Sequence, residues 1–152
     1  MLRFPPQVHL EGGASLLIAG RGDVFFDLYG FYPDYEIHDS PAEVALMQRD
    51  AAWASGSLNL RDDGDEVILM DLNGSWIDAV SWGDSTVAFA PSVPVVSPGS
   101  SIERYPATLD TDRAQDWREQ ASPAPGQVNL TPPTQTPTPS HTPTPTLTFT
   151  PT

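Results

Sequence analysis

The chain has 152 residues, enough for one domain of ordinary size, and carries 20 acidic against 7 basic residues, for a formal net charge of −13. A surface this acidic repels phosphate backbones and anionic membranes, so we expect no direct binding of nucleic acid. Cysteine is absent, which excludes disulfides, thiolate catalysis and cysteine-based zinc sites.

No segment of the sequence suggests export or membrane insertion. The first residues, MLRFPPQVHLEGG, contain one Arg but lack the apolar stretch of a signal peptide. No run approaches the roughly 18–20 apolar residues that a membrane-spanning helix requires. We therefore expect a chain with no membrane span and no export signal of its own.

Composition divides the chain into two parts. Residues 1–129 mix apolar, acidic and turn-forming residues, as a globular domain does. Residues 130–152 are almost entirely Thr and Pro, and such a segment cannot bury enough apolar surface to offset its backbone entropy. Alternating Pro favours the extended polyproline conformation, so we predict a linker or stalk there. A plain disordered tail is the alternative.

Short elements are predicted in the first half of the domain. ASLLIAG at 14–20 is predicted to form a short buried strand, because an apolar run is bounded there by turn residues. Ser40, Pro41 and Glu43 supply an N-cap, a first-turn proline and a capping box, and predict a helix over about 41–50. SLNL at 57–60 is predicted to form a second short strand.

The most regular pattern in the chain is GDEVILMDLNGSWIDAVSWGD, at residues 64–84. Its two apolar runs are predicted to form a β-hairpin closed by a two-residue type I′ turn at Asn73-Gly74. Counting outward from this turn pairs Met70 with Ile77, Leu69 with Asp78, Ile68 with Ala79 and Val67 with Val80. Because both faces are then largely apolar, we expect the hairpin to be enclosed at the centre of a packed structure.

One more strand is predicted after the hairpin. SIERYP at 101–106 alternates in polarity, with Ile102 facing inward and Glu103 outward. Many short strands, frequent Pro and Gly turns and one minor helix together predict an all-β fold, most simply a β-sandwich.

Several stretches, in order, resemble the lamin-tail domain, the immunoglobulin-like module of nuclear lamins that also occurs in bacterial secreted and cell-surface proteins. LNLRDDGDEVILMDLNGSWIDAVSWG resembles its centre, through Leu60, Gly64, Asp65, Val67, Leu69, Asp71, Gly74, Asp78, Val80 and Trp82. SIERYPATLDTDRAQDW resembles its later strand and loop, through Ser101, Glu103, Arg104, Asp112, Asp116 and Trp117. SPAPGQVN at 122–129 resembles the exit of these domains, and GGASLLIAG with FFDLYGFYPDYEI an earlier section of bacterial members. The resemblance implies an immunoglobulin-like β-sandwich.

The chain departs from this family at its N-terminus. Members begin with a strand pair that carries an acidic-aliphatic-Asn element and a Gly-Trp pair, and neither is present before residue 14. Phe4-Pro5-Pro6 resembles the point just after those strands. We therefore expect an N-terminally truncated lamin-tail domain at 1–129, either as an internal piece of a larger multidomain surface protein or because the start of the chain is misassigned.

Three motifs admit a ligand-binding interpretation beside a structural one. Arg21-Gly22-Asp23 matches an integrin-binding tripeptide, although Gly beside a strand end is ordinary turn chemistry. RDDGDE at 61–66 offers oxygen ligands for Ca²⁺, but it lacks EF-hand spacing and is better explained as a solvated acidic turn. DTDRAQD at 110–116 is a second calcium candidate, in which we expect Asp112 or Asp116 to cap backbone amides instead.

Asp78 is unusual because the predicted register places it among apolar neighbours. An ionised carboxylate there needs hydrogen-bond donors. We expect a structural role, with Asp78 accepting hydrogen bonds from the backbone or from Arg104.

Eight aromatic residues form a candidate carbohydrate platform, centred on residues 29–35. Packing in the core and at its rim is the alternative use of such side chains. The eight are Tyr29, Phe31, Tyr32, Tyr35, Trp53, Trp76, Trp82 and Trp117.

No catalytic cluster is visible in the sequence. His9, His38 and His141 are scattered, and neither a nucleophile elbow nor a phosphate-binding Gly loop is present. We therefore expect no enzyme activity, and we predict no catalytic, cofactor-binding or metal-binding residue and no cofactor.

The resemblance and the tail together imply a non-catalytic interaction or structural module. We expect it in a bacterial extracellular or cell-surface protein, displayed on its Thr-Pro linker to an unidentified protein or carbohydrate partner. Bacterial lamin-tail domains can also be joined to secreted hydrolases. The alternative is therefore an accessory domain of a nuclease-type or phosphatase-type enzyme whose catalytic part lies outside this chain.

Overall fold

The computed structural model of the protein describes residues 1–52, 58–128 and 130. Strands make up most of its regular elements, beside one α-helix and one short 3-10 helix, so the chain is broadly β-rich, as predicted. In chain order the elements are β1 (Leu2–Arg3), β2 (Ile18–Ala19), α1 (Gly22–Tyr29), β3 (Tyr35–Glu36), β4 (Ala45–Leu46), β5 (Gln48–Arg49), β6 (Gly64–Met70), β7 (Trp76–Gly83), β8 (Ser101–Arg104), the 3-10 helix (Ala114–Asp116) and β9 (Trp117–Gln120).

The strands form four small sheets among the described residues. β1 pairs with β5, β6 with β7 and β8 with β9, each antiparallel, whereas β2, β3 and β4 form a parallel sheet with β3 in the middle. A segment at Val93 runs beside β7, where its N–H donates to Ser81 O at 3.0 Å and its carbonyl accepts from Gly83 N–H at 2.9 Å. Val93 and Met47 are the buried hydrophobic side chains of the described part, so its core is small.

The helix α1 is absent from the predicted elements, although its end signals are present in the sequence. Asp23 lies in the first turn, where a carboxylate interacts favourably with the helix dipole. Gly30 follows the last turn with φ +77°, and its N–H donates to Phe26 O at 2.7 Å. Gly at this position is the usual residue for a left-handed helix end.

The predicted helix over 41–50 is wrong. That segment contains a turn, β4 and β5. The hydroxyl and N–H of Ser40 both donate to the Glu36 carboxylate, at 2.6 and 3.0 Å, and Met47 N–H donates to Glu36 O at 2.8 Å. Pairing with β3 therefore overrides the local helix signal.

Two of the predicted short strands are also corrected. The strand predicted over 14–20 is reduced to β2, and its Ile18 is 43% exposed, so it is not a buried strand. At 57–60, residues 58–60 have no regular structure, and Ser57 lies outside the described residues. An apolar run alone does not supply the neighbouring strand that would extend either segment.

The predicted hairpin is confirmed, with a change of register near its tip. β6 and β7 pair Val67 with Val80, Ile68 with Ala79 and Leu69 with Asp78, as counted from the sequence. Met70 pairs with Trp76 and not with Ile77, so Ile77 is the extra residue of a bulge.

The turn at the tip is wider than predicted. Asp71 N–H donates to Ser75 O at 2.9 Å and Gly74 N–H to Asp71 O at 3.1 Å, which gives a three-residue loop in place of the type I′ turn. Of the predicted turn pair, only Gly74 has positive φ, at +82°. Asp71 Oδ1 accepts from the N–H groups of Asn73 and Ser75, both at 2.8 Å, and these bonds stabilise the longer loop. The hydrogen bond from Ser75, followed by those from Asn73, holds the pKa of Asp71 below its ordinary value, against the effect of burial.

The prediction that the hairpin is enclosed on both faces is wrong for the described residues. Val67 and Leu69 are each 45% exposed, and Ile77 is 62% exposed. β6 and β7 form a two-stranded sheet, with only the short Val93 bridge beside β7. An apolar pattern on both faces indicates the capacity to pack, and the packing itself depends on other segments.

The strand predicted at 101–106 is confirmed as the shorter β8. In the pairing of β8 with β9, Arg104 lies opposite Trp117 and Glu103 lies opposite Arg118. The Arg104 guanidinium lies 4.8 Å from the Trp117 ring centroid, and Arg118 Nη2 lies 2.6 Å from Glu103 Oε1. Such cross-strand pairs stabilise a two-stranded ribbon. Apart from Leu130, the predicted Thr/Pro stalk lies outside the described residues.

Candidate functional site: an aromatic surface on helix α1

Five aromatic rings gather on α1 and the residues that follow it. We define the aromatic patch as Phe25, Phe26, Tyr29, Phe31 and Tyr32. Phe26 and Tyr32 are stacked, with ring centroids 4.5 Å apart at 25°. Phe25 contacts Tyr29 at 4.7 Å and Phe31 edge-on at 5.3 Å. The patch is therefore two small clusters of rings, carried by α1 and by the residues that follow it.

The patch faces solvent. Tyr32 is 51% exposed, and Phe26, Tyr29 and Phe31 are each about 40% exposed. The next helical face is also apolar, with Leu28 72% exposed and Val24 50% exposed. Several exposed apolar side chains close together in one short segment are typical of interaction sites.

An open groove of about 420 Å³ adjoins the patch and shares Phe25 with it. Its walls are mostly apolar, and Arg21 and His38 are its charged or titratable side chains. The lining residues are Ala19, Gly20, Arg21, Val24, Phe25, Leu28 and His38.

A buried carboxylate fixes the start of α1. Glu36 is fully buried, and its Oε2 accepts from Gly22 N–H at 2.7 Å and from the Ser40 hydroxyl at 2.6 Å. Burial acts to raise the pKa of Glu36, but the bonds from the Ser40 hydroxyl and the Gly22 and Ser40 amides outweigh it and hold the pKa below 4.5, its ordinary value. The ionised carboxylate therefore ties α1 to β3 and to the turn after it.

The tripeptide Arg21-Gly22-Asp23 lies at this junction. Arg21 Nε and Nη2 donate to the two oxygens of Asp23 at 2.9 and 2.5 Å, so its two charged side chains are paired with each other. Gly22 is buried, and a Cβ there would lie 2.7 Å from Val44 Cγ2. This geometry favours the structural interpretation of the tripeptide over the ligand one.

The acidic turn at 61–66 is organised around an arginine. Arg61 Nη2 lies 2.7 Å from Asp63 Oδ2, and Arg61 N–H donates to Asp65 Oδ2 at 3.0 Å. Trp82 Nε1 donates to Arg61 O at 2.9 Å, which attaches the turn to β7. In the part of the chain that the structure describes, no group of three or more His, Asp or Glu side chains is placed to hold a metal ion.

Asp116 caps backbone amides, as predicted. It is 3% exposed, and its Oδ2 accepts from Thr111 N–H at 2.6 Å while Oδ1 accepts from the Thr111 hydroxyl at 2.8 Å. These bonds, the amide of Thr111 first, hold the pKa of Asp116 below its ordinary value. Asp112 is the other predicted residue of this loop and adopts φ +55°.

The predicted bond between Asp78 and Arg104 is confirmed. Arg104 Nη2 donates to Asp78 Oδ1 at 2.6 Å, and Ala79 N–H donates to the same oxygen at 2.7 Å. Arg104 is 16% exposed and also lies 3.3 Å from Asp110 Oδ2. This arginine therefore joins the β6–β7 hairpin to β8 and to the loop that follows.

We expect Asp78→Ala to lower the free energy of unfolding by about 1–3 kcal/mol, because a half-buried arginine loses its shortest partner. Urea denaturation of both proteins measures this change. Asp110→Asn is the matched control, since Asp110 binds the same guanidinium from a more exposed position, and it should change stability by less than about 0.5 kcal/mol. An unchanged melting temperature for Asp78→Ala would contradict the structural role.

The structure brings together only part of the predicted aromatic platform. Tyr29, Phe31 and Tyr32 lie in the patch, whereas Tyr35 lies in β3 and contacts Phe4 edge-on at 5.6 Å. Trp76 is 52% exposed near the hairpin tip, Trp117 lies beneath Arg104, and Trp53 is outside the described residues. Phe25 and Phe26 belong to the patch because they lie on α1. The sequence pattern did not predict this helix, so it did not place these two rings beside the other three.

The predicted absence of a histidine cluster concerns His9, His38 and His141. His9 lies 3.3 Å from Glu11 on the surface and His38 lines the groove, while His141 is outside the described residues.

Within the described ranges, α1 is too short to cross a membrane, and no other helix is long and apolar enough to do so. Comparisons of the chain with protein-family models, curated proteins and solved structures found no match.

Proposed function

We propose that this chain is a non-catalytic interaction module of lamin-tail type, with an immunoglobulin-like sandwich at 1–129, that acts in the extracellular space or on a cell surface. In this proposal the Thr/Pro-rich segment is its linker, and α1 is presented to a partner on a cell wall or matrix. The exposed aromatic patch is the observation that carries the proposal.

The family assignment rests on the residues that resemble the lamin-tail domain. The individually matched residues lie on β6, β7, β8 and β9, in the segment before β6, in the hairpin turn and in the segment before β9. Two of them, Asp78 and Arg104, form the ion pair that joins the hairpin to β8. The half-exposed apolar residues of β6 offer a surface on which a second sheet of a sandwich could pack. These contacts support a common architecture for the matched stretches.

The aromatic patch supports a binding role, because its rings contact one another and remain exposed. Ring-to-ring contacts fix Phe26 against Tyr32 and Phe25 against Tyr29 and Phe31, so little side-chain entropy is lost when a ligand is bound. Flat, exposed rings with tyrosine hydroxyls at their edges suit carbohydrate as well as protein partners. A wall polysaccharide is the partner class that these rings favour.

The proposal is tested by co-sedimentation with insoluble peptidoglycan, chitin and cellulose. We expect retention of the wild-type chain on at least one of them, and at least tenfold weaker binding by the double variant Phe26→Ala, Tyr32→Ala. Leu72→Ala is the matched control, because Leu72 is an apolar side chain, 89% exposed at the hairpin tip, that is not part of the patch. Equal retention of the patch variant, or no retention of the wild type on any of the three, would contradict carbohydrate binding by the patch.

A further inference from the structure

We propose that the aromatic patch binds the chain's own Thr/Pro-rich segment, residues 131–152. The segment would then cover the surface that the proposed function presents to a partner, so the inference rests on that function for its biological meaning. Three features of the chain support this contact: the position of the chain exit, the chemistry of the rings and the charge of the segment.

The described chain exits beside Leu17, just before β2. The last turn contains Pro125 and Gly126, with φ +80° at Gly126 and a bond from Gln127 N–H to Ala124 O at 3.1 Å. A Cβ on Gly126 would lie 3.3 Å from Leu17 Cδ1, so the turn packs against Leu17.

Leu17 is in turn bonded to the end of the loop that follows the patch. Its N–H donates to Asp34 Oδ2 at 2.7 Å, and its carbonyl accepts from Tyr35 N–H at 3.0 Å. Tyr32 of the patch is only two residues before Asp34. The exit turn therefore contacts Leu17, and Leu17 is bonded to the residues two and three positions after Tyr32.

The composition of the segment matches the chemistry of the rings. Prolines stand at positions 132, 133, 137, 139, 143, 145 and 151. Each proline fixes its own φ and restricts the residue before it to extended conformations, so an aromatic surface can bind such a segment with a small entropy cost. Aromatic-lined surfaces are a recurrent binding mode for Pro-rich segments.

Charge also favours this occupant. Asp23, Asp27 and Asp34 lie on α1 or close after it, and the chain as a whole carries −13, so an acidic peptide is repelled from this region. Residues 131–152 contain no Asp, Glu, Lys or Arg. A neutral segment meets no such repulsion.

Tethering makes even a weak contact effective. α1 has eight residues and spans about 12 Å, a length that roughly four polyproline residues cover. A short tether gives the segment an effective concentration on the order of millimolar at a nearby surface. An intrinsic dissociation constant in that range is then enough for substantial occupancy.

The test uses the full chain, which contains no Cys, so that Ser140→Cys provides a single site for a nitroxide label. We expect the label to broaden the backbone NMR signals of α1 at least twofold more than those of the hairpin tip at Leu72. The double variant Phe26→Ala, Tyr32→Ala should remove this excess broadening, and Leu72→Ala should leave it unchanged. Signals of α1 broadened no more than the tip would overturn the proposal.

A mixed sample identifies the occupant. Isotope-labelled chain without nitroxide is combined with unlabelled chain that carries it, and we expect no broadening of α1. Broadening there would overturn the proposal in favour of the segment of a second copy. Because these signals are independent of polysaccharide retention, failure of the contact and failure of the proposed function are distinguishable.

Discussion

Replacing Glu36 with Gln is expected to lower the free energy of unfolding by about 2 kcal/mol. Three donors, from Gly22 and twice from Ser40, converge on this buried carboxylate. The amide keeps a single acceptor oxygen and turns an NH₂ group toward an N–H, so at least one buried donor loses its partner. Glu36→Ala removes all three bonds and is expected to cost about 3 kcal/mol, a large share of the roughly 5–15 kcal/mol of a typical domain.

Glu36→Gln is also expected to make the free energy of unfolding less sensitive to acid. Because the pKa of Glu36 is lower in the folded chain than its ordinary 4.5, the unfolded chain takes up the proton first as pH falls. The stabilisation by this carboxylate is complete above pH 4.5 and is lost progressively below it, toward the folded pKa. Urea denaturation at several pH values from 7 to 3 should show a smaller decline for Glu36→Gln than for the wild type.

Glu43→Gln is the matched control for both measurements. Glu43 is exposed, so this variant should unfold within about 0.5 kcal/mol of the wild type at neutral pH. If Glu36→Gln behaved like Glu43→Gln at pH 7, the buried carboxylate would not be the anchor of α1.

Gly83→Ala is expected to lower the free energy of unfolding by more than about 4 kcal/mol. A Cβ on Gly83 would lie 1.9 Å from the Asp63 carbonyl oxygen and 2.7 Å from Gly64 Cα, and neither backbone atom can rotate away. Asp84 N–H donates to the same Asp63 oxygen at 3.2 Å, so relief of the clash would open the end of the hairpin. Circular dichroism and urea denaturation measure the loss.

Gly99→Ala separates the clash from the backbone conformation. Gly99 has φ +86°, comparable with the +61° of Gly83, but no atom lies within 4 Å of its added Cβ. Only the cost of a left-handed non-glycine residue remains, about 1 kcal/mol. Equal stabilities for the two variants would show that Asp63 and Gly83 are not in close contact.

The position of α1 decides which aromatic residues can act together. Along the sequence, residues 29–35 stand out as an aromatic run, and Tyr35 belongs to it as much as Tyr32 does. In the structure Tyr35 lies in β3 and is not part of the patch. Phe25 and Phe26 lie on α1, where Phe25 contacts Phe31 and Phe26 stacks on Tyr32. The aromatic patch therefore depends on the helix as well as on the run.

The sequence by itself determined the features that depend on neighbouring residues and on local chemistry. Counting outward from the predicted turn yielded three of the four predicted cross-strand pairs of the hairpin, and alternating polarity located β8, because the side-chain period of a strand is two in any setting. A carboxylate among apolar neighbours predicted the bond from Arg104 to Asp78, and the short acidic loop predicted the cap at Asp116.

Only the tertiary structure decided the rest. The helix predicted after Ser40 does not form, because both donors of Ser40 bind the Glu36 carboxylate and the backbone of Glu36 pairs with β4. No second sheet encloses the hairpin among the described residues. In each case the outcome depended on where partners distant in sequence, or competing hydrogen bonds, are placed in space, and local patterning carries no information about that placement.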